Sequence, residues 1–153
     1  MTQLGEIGAE ALVPAPRTEV FGFLARLDNH WQLGDRWIEV LRLDSERGTG
    51  AAIDGGAVRI RGPLGVSRTV HTRVVAAEAP DRLRGRAEIG GTTRAAITWS
   101  LSEDGEATRV GLRAEVEGMG ALDRALWALG GRRWMHRRFD AVLAGLVRRF
   151  AAP

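Results

Sequence analysis

The feature that most constrains this chain is a run of alternating segments joined by tight turns and closed by one long amphipathic stretch. In Arg82 to Ile89, the residues Leu83, Gly85, Ala87 and Ile89 oppose Arg82, Arg84, Arg86 and Glu88. In Thr108 to Glu117, the residues Val110, Leu112, Ala114 and Val116 oppose Arg109, Arg113, Glu115 and Glu117. A period of two with one apolar face marks a strand whose other face meets water. Arg94 to Ser102 reads the same way, and Ala57 to Arg61, Arg68 to Ala77 and the apolar Trp37 to Leu43 are further strands. The joints Ala79-Pro80-Asp81, Gly90-Gly91 and Asp104-Gly105 carry hairpin chemistry, so consecutive strands pair antiparallel. The phase of Arg68 to Ala77 stays open, with either Thr72 or His71 pointing inward.

Before this meander, Ile7, Ala9, Ala11 and Val13 alternate as a first strand that ends at Val13-Pro14-Ala15-Pro16. Pro16 suits a first helical turn, and Val20, Phe21, Leu24 and Leu27 recur at helical spacing, predicting a helix of about eleven residues. Asp28-Asn29-His30 stops it, and Trp31 and Leu33 point to a second short helix before Gly34. Asp44 to Gly56 reads as a polar, glycine-rich connection. After the strands, Leu122, Leu126, Leu129, Met135, Phe139, Val142, Leu146 and Phe150 place one apolar stripe along a helix from about Ala121 to Phe150. Gly130-Gly131 predicts a kink or a reset of its phase. Such a helix must cover an apolar surface, and the one-sided sheet supplies it. The expectation is an α+β fold: a curved antiparallel sheet of about six to seven strands wrapped around a long C-terminal helix, with two short helices after the first strand, forming one domain over residues 1–153.

At 153 residues, 44% of them hydrophobic and 27% charged, the chain can bury a substantial core. It has no cysteine, which excludes disulfides, thiolate metal sites and a cysteine nucleophile. The absence of a membrane-length apolar run and of a basic leader makes a cytoplasmic location the expectation. The sequence pI near 11.0 overstates the positive charge, because the formal net charge is only +3 and every basic residue is arginine. Gly118-Met119-Gly120 runs into Asp123 where a dinucleotide motif needs its third glycine, and a phosphate-binding loop lacks its lysine. Ser67 has no nucleophile elbow, and His30, His71 and His136 lack metal-ligand spacing, so neither a metal nor a cofactor is expected.

Four stretches, VPAPRTEVFGFLARLDNHWQL, VVAAEAPDRLRGR, WSLSEDGEATRVGLRAEVEG and GALDRALWALGGRRWMHRRFDAVLAGLVRRF, together cover nearly the whole chain. Their order resembles the helix-grip architecture of the Bet v 1-like and START-related (SRPBCC) superfamily, and within it the polyketide cyclase/dehydrase and lipid-transport family. The resemblance implies a curved sheet gripping the long helix over an apolar cavity that in relatives receives lipids, sterols, polyketides, quinones or plant metabolites. Cyclases of the family often hold a polyketone with cavity Arg, His and Tyr groups, whereas this chain has no tyrosine.

The residue pattern leads to the same cavity. Its inward strand positions are Val58, Ile60, Val70, Thr72, Leu83, Ala87, Ile97, Trp99, Leu112 and Ala114. The helix adds Leu126, Leu129, Met135, Phe139 and Leu143. Gly85, Ala87, Ala95 and Ala114 remove volume from this wall and leave space for an apolar ligand, unless the helix collapses onto them. Trp127 and Trp134 fall off the inner stripe. His136 projects within about 20° of Leu129 and is the weak candidate for a general acid or base, the alternative being a boundary histidine beside solvated arginines. Arg132, Arg133, Arg137 and Arg138, followed by Arg148 and Arg149, face Asp140 alone and offer a surface for an anionic membrane or a partner protein, if they are not simply solvated. Arginines on the outer sheet face, among them Arg59, Arg61, Arg73, Arg82, Arg84, Arg86, Arg109 and Arg113, extend the positive surface. The lack of interleaved aromatics argues against a nucleic-acid platform. The leading expectation is a carrier or sensor of a small hydrophobic ligand. The alternatives are a polyketide cyclase or dehydratase, and a module that docks through its arginine-rich helix.

Overall fold

The computed structural model describes residues 5–26, 29–30, 33, 38–44, 55–62 and 65–151. Seven strands, β1 (Gly5–Val13), β2 (Ile38–Asp44), β3 (Gly55–Arg61), β4 (Ser67–Glu78), β5 (Arg82–Ile89), β6 (Thr93–Asp104) and β7 (Ala107–Gly118), build one antiparallel sheet in the order β1-β7-β6-β5-β4-β3-β2. The alternating segments therefore pair with their sequence neighbours, and only β1 crosses to the far edge to pair with β7. On β4 the open phase resolves: Val70, Thr72 and Val74 face the helix side, while His71 and Arg73 are exposed on the other face. A bulge between Val74 and Ala76 then shifts the pairing with β5.

Between β1 and β2 runs α1 (Arg17–Leu24), eight residues rather than the expected eleven. Its end is set by side chains: Asn29 Nδ2 donates to the Phe23 carbonyl at 2.8 Å, and His30 Nε2 donates to the Leu24 carbonyl at 2.6 Å. Those are two of the carbonyls a helix terminus leaves unmet. Asn29, His30 and Leu33 are helical, in line with the expected second helix, whereas Leu27, Trp31, Trp37 and most of the β2–β3 connection lie outside the described residues.

After β7 come α2 (Ala121–Leu126), a widened turn at Trp127–Gly131 and α3 (Arg132–Ala151). The expected kink falls at Leu129 (φ −90°, ψ 18°) and Gly130 (φ 111°, ψ 2°). A φ of that sign is open to glycine and strained for residues with a Cβ. Among the described residues no helix is long and apolar enough to cross a membrane.

The solid part of the core lies under the second half of α3. There Leu143 and Leu146 pack with Val20, Phe21 and Leu24 of α1, Val13 of β1 and Val110 of β7. The buried Thr108 hydroxyl donates to the Ala15 carbonyl at 2.7 Å and fastens β7 to the turn after β1. A second small cluster, Val58, Val70 and Ala87, fills the sheet toward β3. Between the two the packing opens.

Candidate functional site

The opening follows from side-chain size, read row by row across the paired strands. One row, Leu83, Trp99 and Leu112, is large and closes against the helix core. The next contains Val74, Gly85, Ile97, Ala114 and Ile7, and the one after it Thr72, Ala87, Ala95, Val116 and Gly5. Two neighbouring rows thus carry glycine or alanine at several positions, opposite the helix residues Met135 and Phe139. The result is a cavity of about 220 Å³ between the sheet and the first half of α3. That exceeds the ~150 Å³ apolar cavity known to stay dry and take up benzene.

Of the expected lining residues, Ile60, Val70, Thr72, Leu83, Ala87, Ile97, Trp99, Leu112, Ala114, Met135 and Phe139 border this space. Val58 does not: it is fully buried in the β3–β5 cluster beside the cavity. Leu143 belongs to the solid core, and Leu126, although buried, also lies off the cavity. Leu129 is 67% exposed, because the left-handed Gly130 ends the stripe that the regular spacing had extended through it. Leu122 is exposed as well, and Trp127, expected off the inner stripe, lines the cavity and lies against Gly5. A Cβ at Gly5 would stand 2.9 Å from the Trp127 ring, so the residue opposite that indole must lack a side chain.

His136 is not in the site. It is half exposed and paired across one helical turn with Asp140, Nδ1 to Oδ2 at 3.3 Å. The histidine that does border the cavity is His30, whose ring centroid lies 5.3 Å from that of Trp99. A carbonyl can only accept, so the contact with Leu24 fixes the proton on Nε2. Periodicity could not reveal His30, since it sits past the end of α1; the one available signal was the polar triplet Asp28-Asn29-His30, which marked a helix stop. Arg138, expected on the docking surface, is half-buried and borders the cavity, with its guanidinium 5.0 Å over the Trp134 ring. Thr72 contributes a buried hydroxyl oxygen that meets no hydrogen-bond partner.

One end of the cavity, near Thr93 and Met119, is closed by a polar clasp. Arg68 Nη2 on β4 donates to Asp123 Oδ2 on α2 at 2.9 Å. The Thr93 hydroxyl donates to the same oxygen, and the Gly120 amide donates to Thr93 Oγ1 at 3.2 Å. Side-chain exposures of 18% for Arg68 and 11% for Asp123 make this the most enclosed ion pair among the described residues.

The outer sheet face is less uniformly positive than the arginine spacing implied. Arg109 pairs with Asp104 and Glu10, and Arg113 with Glu6 and Glu115. Hydrogen bonds that Arg109 donates to Asp104 and Arg113 donates to Glu6 push both guanidiniums above their usual range. Arg59 meets Glu39, and Arg86 meets Glu117. No group of three or more His, Asp or Glu that could hold a metal occurs among the described residues.

These features can be set beside known proteins. No curated protein matches the chain. Among solved structures, a protein from Thermus thermophilus is similar at a TM-score of 0.77 and 22% identity, over 96% of this chain and 97% of that one. A START superfamily protein from Mycobacterium smegmatis is similar at 0.67 and 11%, over 95% and 97%. A Chromobacterium violaceum protein is similar at 0.69 and 13%, over 97% and 99%. At these identities the likeness concerns the fold, and it agrees with the helix-grip arrangement described above. The profile of one family, polyketide cyclase / dehydrase and lipid transport, matches residues 6–151, and the chain belongs to that family.

Proposed function

We propose that this protein binds a small hydrophobic ligand between its sheet and C-terminal helix, as a carrier or sensor. The observation that carries this reading is the gap left by two adjacent small-residue rows, with an almost wholly apolar lining. Burying such a ligand removes its apolar surface from water at about 25 cal/mol per Å². The ligand must therefore be mostly hydrocarbon or aromatic, and the size of the cavity suits a compact one- or two-ring molecule. In the cell the expected place of action is the cytoplasm.

Native mass spectrometry of protein from its own or a closely related host tests this reading. A retained apolar adduct, released on denaturation, supports it. Protein that carries nothing extractable and whose crystal structure shows the helix collapsed onto Gly85, Ala87, Ala95 and Ala114 overturns it.

A second reading, a cyclase or dehydratase, is favoured by two polar groups on the cavity wall. His30 would transfer protons and Arg138 would anchor an anionic oxygen. The exposed His136 takes no part in it. His30→Ala should abolish turnover of a poly-β-ketone analogue in protein that keeps its fold, and unchanged turnover removes this reading.

Docking through the arginine-rich helix would use the exposed Arg132, Arg133 and Arg137 rather than Arg138. Vesicle binding that survives high salt would contradict its electrostatic basis.

A further inference from the structure

Three buried side-chain nitrogen or oxygen atoms among the described residues meet no hydrogen-bond partner. Two are the Nε atoms of Arg17 and Arg68, whose guanidiniums are ion-paired through their other nitrogens. The third, Oγ1 of Thr72, is the one of the three whose residue borders the ligand cavity.

The strand register explains why the protein leaves this oxygen unmet. Directly across from Thr72 stand Gly56 on β3 and Ala87 on β5, and its neighbours along the same face of β4 are Val70 and Val74. None of these side chains can donate or accept a hydrogen bond. A water at the same place needs two or more polar partners, and these side chains add none to the threonine hydroxyl. Burying a hydroxyl without a partner costs free energy, which a valine of nearly the same shape would avoid. Packing alone therefore gives no reason for threonine here, whereas a partner that arrives through the cavity does.

We infer that Thr72 anchors the ligand, through a hydrogen bond between its hydroxyl and one oxygen on a neutral, compact ring molecule such as a phenol or a cyclic ketone. The inference rests on the ligand-binding reading above and adds the polar group that the ligand carries. A step of χ1 between staggered wells exchanges the covered oxygen with the γ-methyl and turns the hydroxyl toward the ligand. A threonine hydroxyl both donates and accepts, so it serves a phenol O–H and a carbonyl alike. A carboxylate or phosphate is a poor match, since one hydroxyl amid glycine, alanine and valine cannot offset the cost of stripping an anion of its water.

Calorimetric titrations with 2-naphthol and naphthalene, which differ by one hydroxyl, test the anchor in the parent protein, Thr72→Val and Thr72→Ser. The readout is the ratio of the two affinities, because it cancels changes in the cavity that affect both rings alike. Thr72→Val should lower the preference for 2-naphthol by roughly tenfold while naphthalene binds as in the parent, and Thr72→Ser should keep that preference within about twofold. Thr72→Ala removes the hydroxyl independently should the valine variant fail to fold. An unchanged ratio in the valine and alanine variants overturns the anchor, while saturable naphthalene binding in the same titrations leaves the ligand-binding reading standing. Binding of neither ring to the parent overturns both. Tighter binding of 2-naphthoate than of 2-naphthol overturns the neutral class and moves the polar contact to Arg138, a cation on the cavity wall.

Discussion

The His30 ring lies 5.3 Å from Trp99 at an interplanar angle of 59°, and its Nε2 donates to the Leu24 carbonyl at 2.6 Å. One side chain thus both ends α1 and walls the cavity. His30→Ala should therefore leave the Leu24 carbonyl unmet and strip a contact from Trp99, at a cost of about 1–3 kcal/mol in urea unfolding. His136→Ala, whose ring is half exposed, should leave the unfolding midpoint unchanged. Equal effects of the two substitutions would mean that His30 is not held as described.

The clasp at the cavity end predicts a different loss. Asp123→Ala removes the carboxylate that Arg68 and Thr93 share and leaves an enclosed guanidinium without it. The expected destabilisation is about 2–3 kcal/mol, reduced from that of a fully buried pair by the remaining exposure of Arg68. Hydrogen exchange should also rise in α2 before it rises in α3. A change confined to a few tenths of a kcal/mol would show that the pair is effectively solvated.

The kink gives a third check. Gly130→Ala places a Cβ on a φ of 111° and should cost about 1–2 kcal/mol, while Leu129→Gln next to it should stay within about 0.5 kcal/mol. By contrast Leu143→Ala, in the packed part of the core, should cost about 2–5 kcal/mol. A large loss at Leu129 would restore the uninterrupted helical stripe.

Strand order and hairpins were legible because alternation and turn residues act locally: Arg82–Ile89 begins and ends where the pattern does. The cavity wall was legible for the same reason, since Ile97, Leu112 and Ala114 follow from the period of two. Helix phase before Gly130 was not, because one left-handed residue turns Leu129 outward and brings Trp127 inward, and no periodicity encodes that rotation. Nor was Val58, inward as expected, distinguishable from a lining residue. Whether such a side chain meets a cavity or a neighbour depends on Val70 and Ala87 across two strands. His30 depends on a helix end and a tertiary contact together.

Filling the cavity separates space from packed core. Ala87→Ile adds volume at the centre of the small rows, and in a vacant cavity its unfolding midpoint should equal or exceed that of the parent. In a close-packed core the same change should cost about 1–3 kcal/mol.

The most direct measurement is a calorimetric titration of the protein and of Ala87→Ile with 2-naphthol, a compact two-ring probe. A ligand-binding cavity predicts one saturable site in the parent protein and at least a roughly tenfold weaker one in the filled variant. Absence of saturable binding to the parent, or equal binding to both, would contradict it.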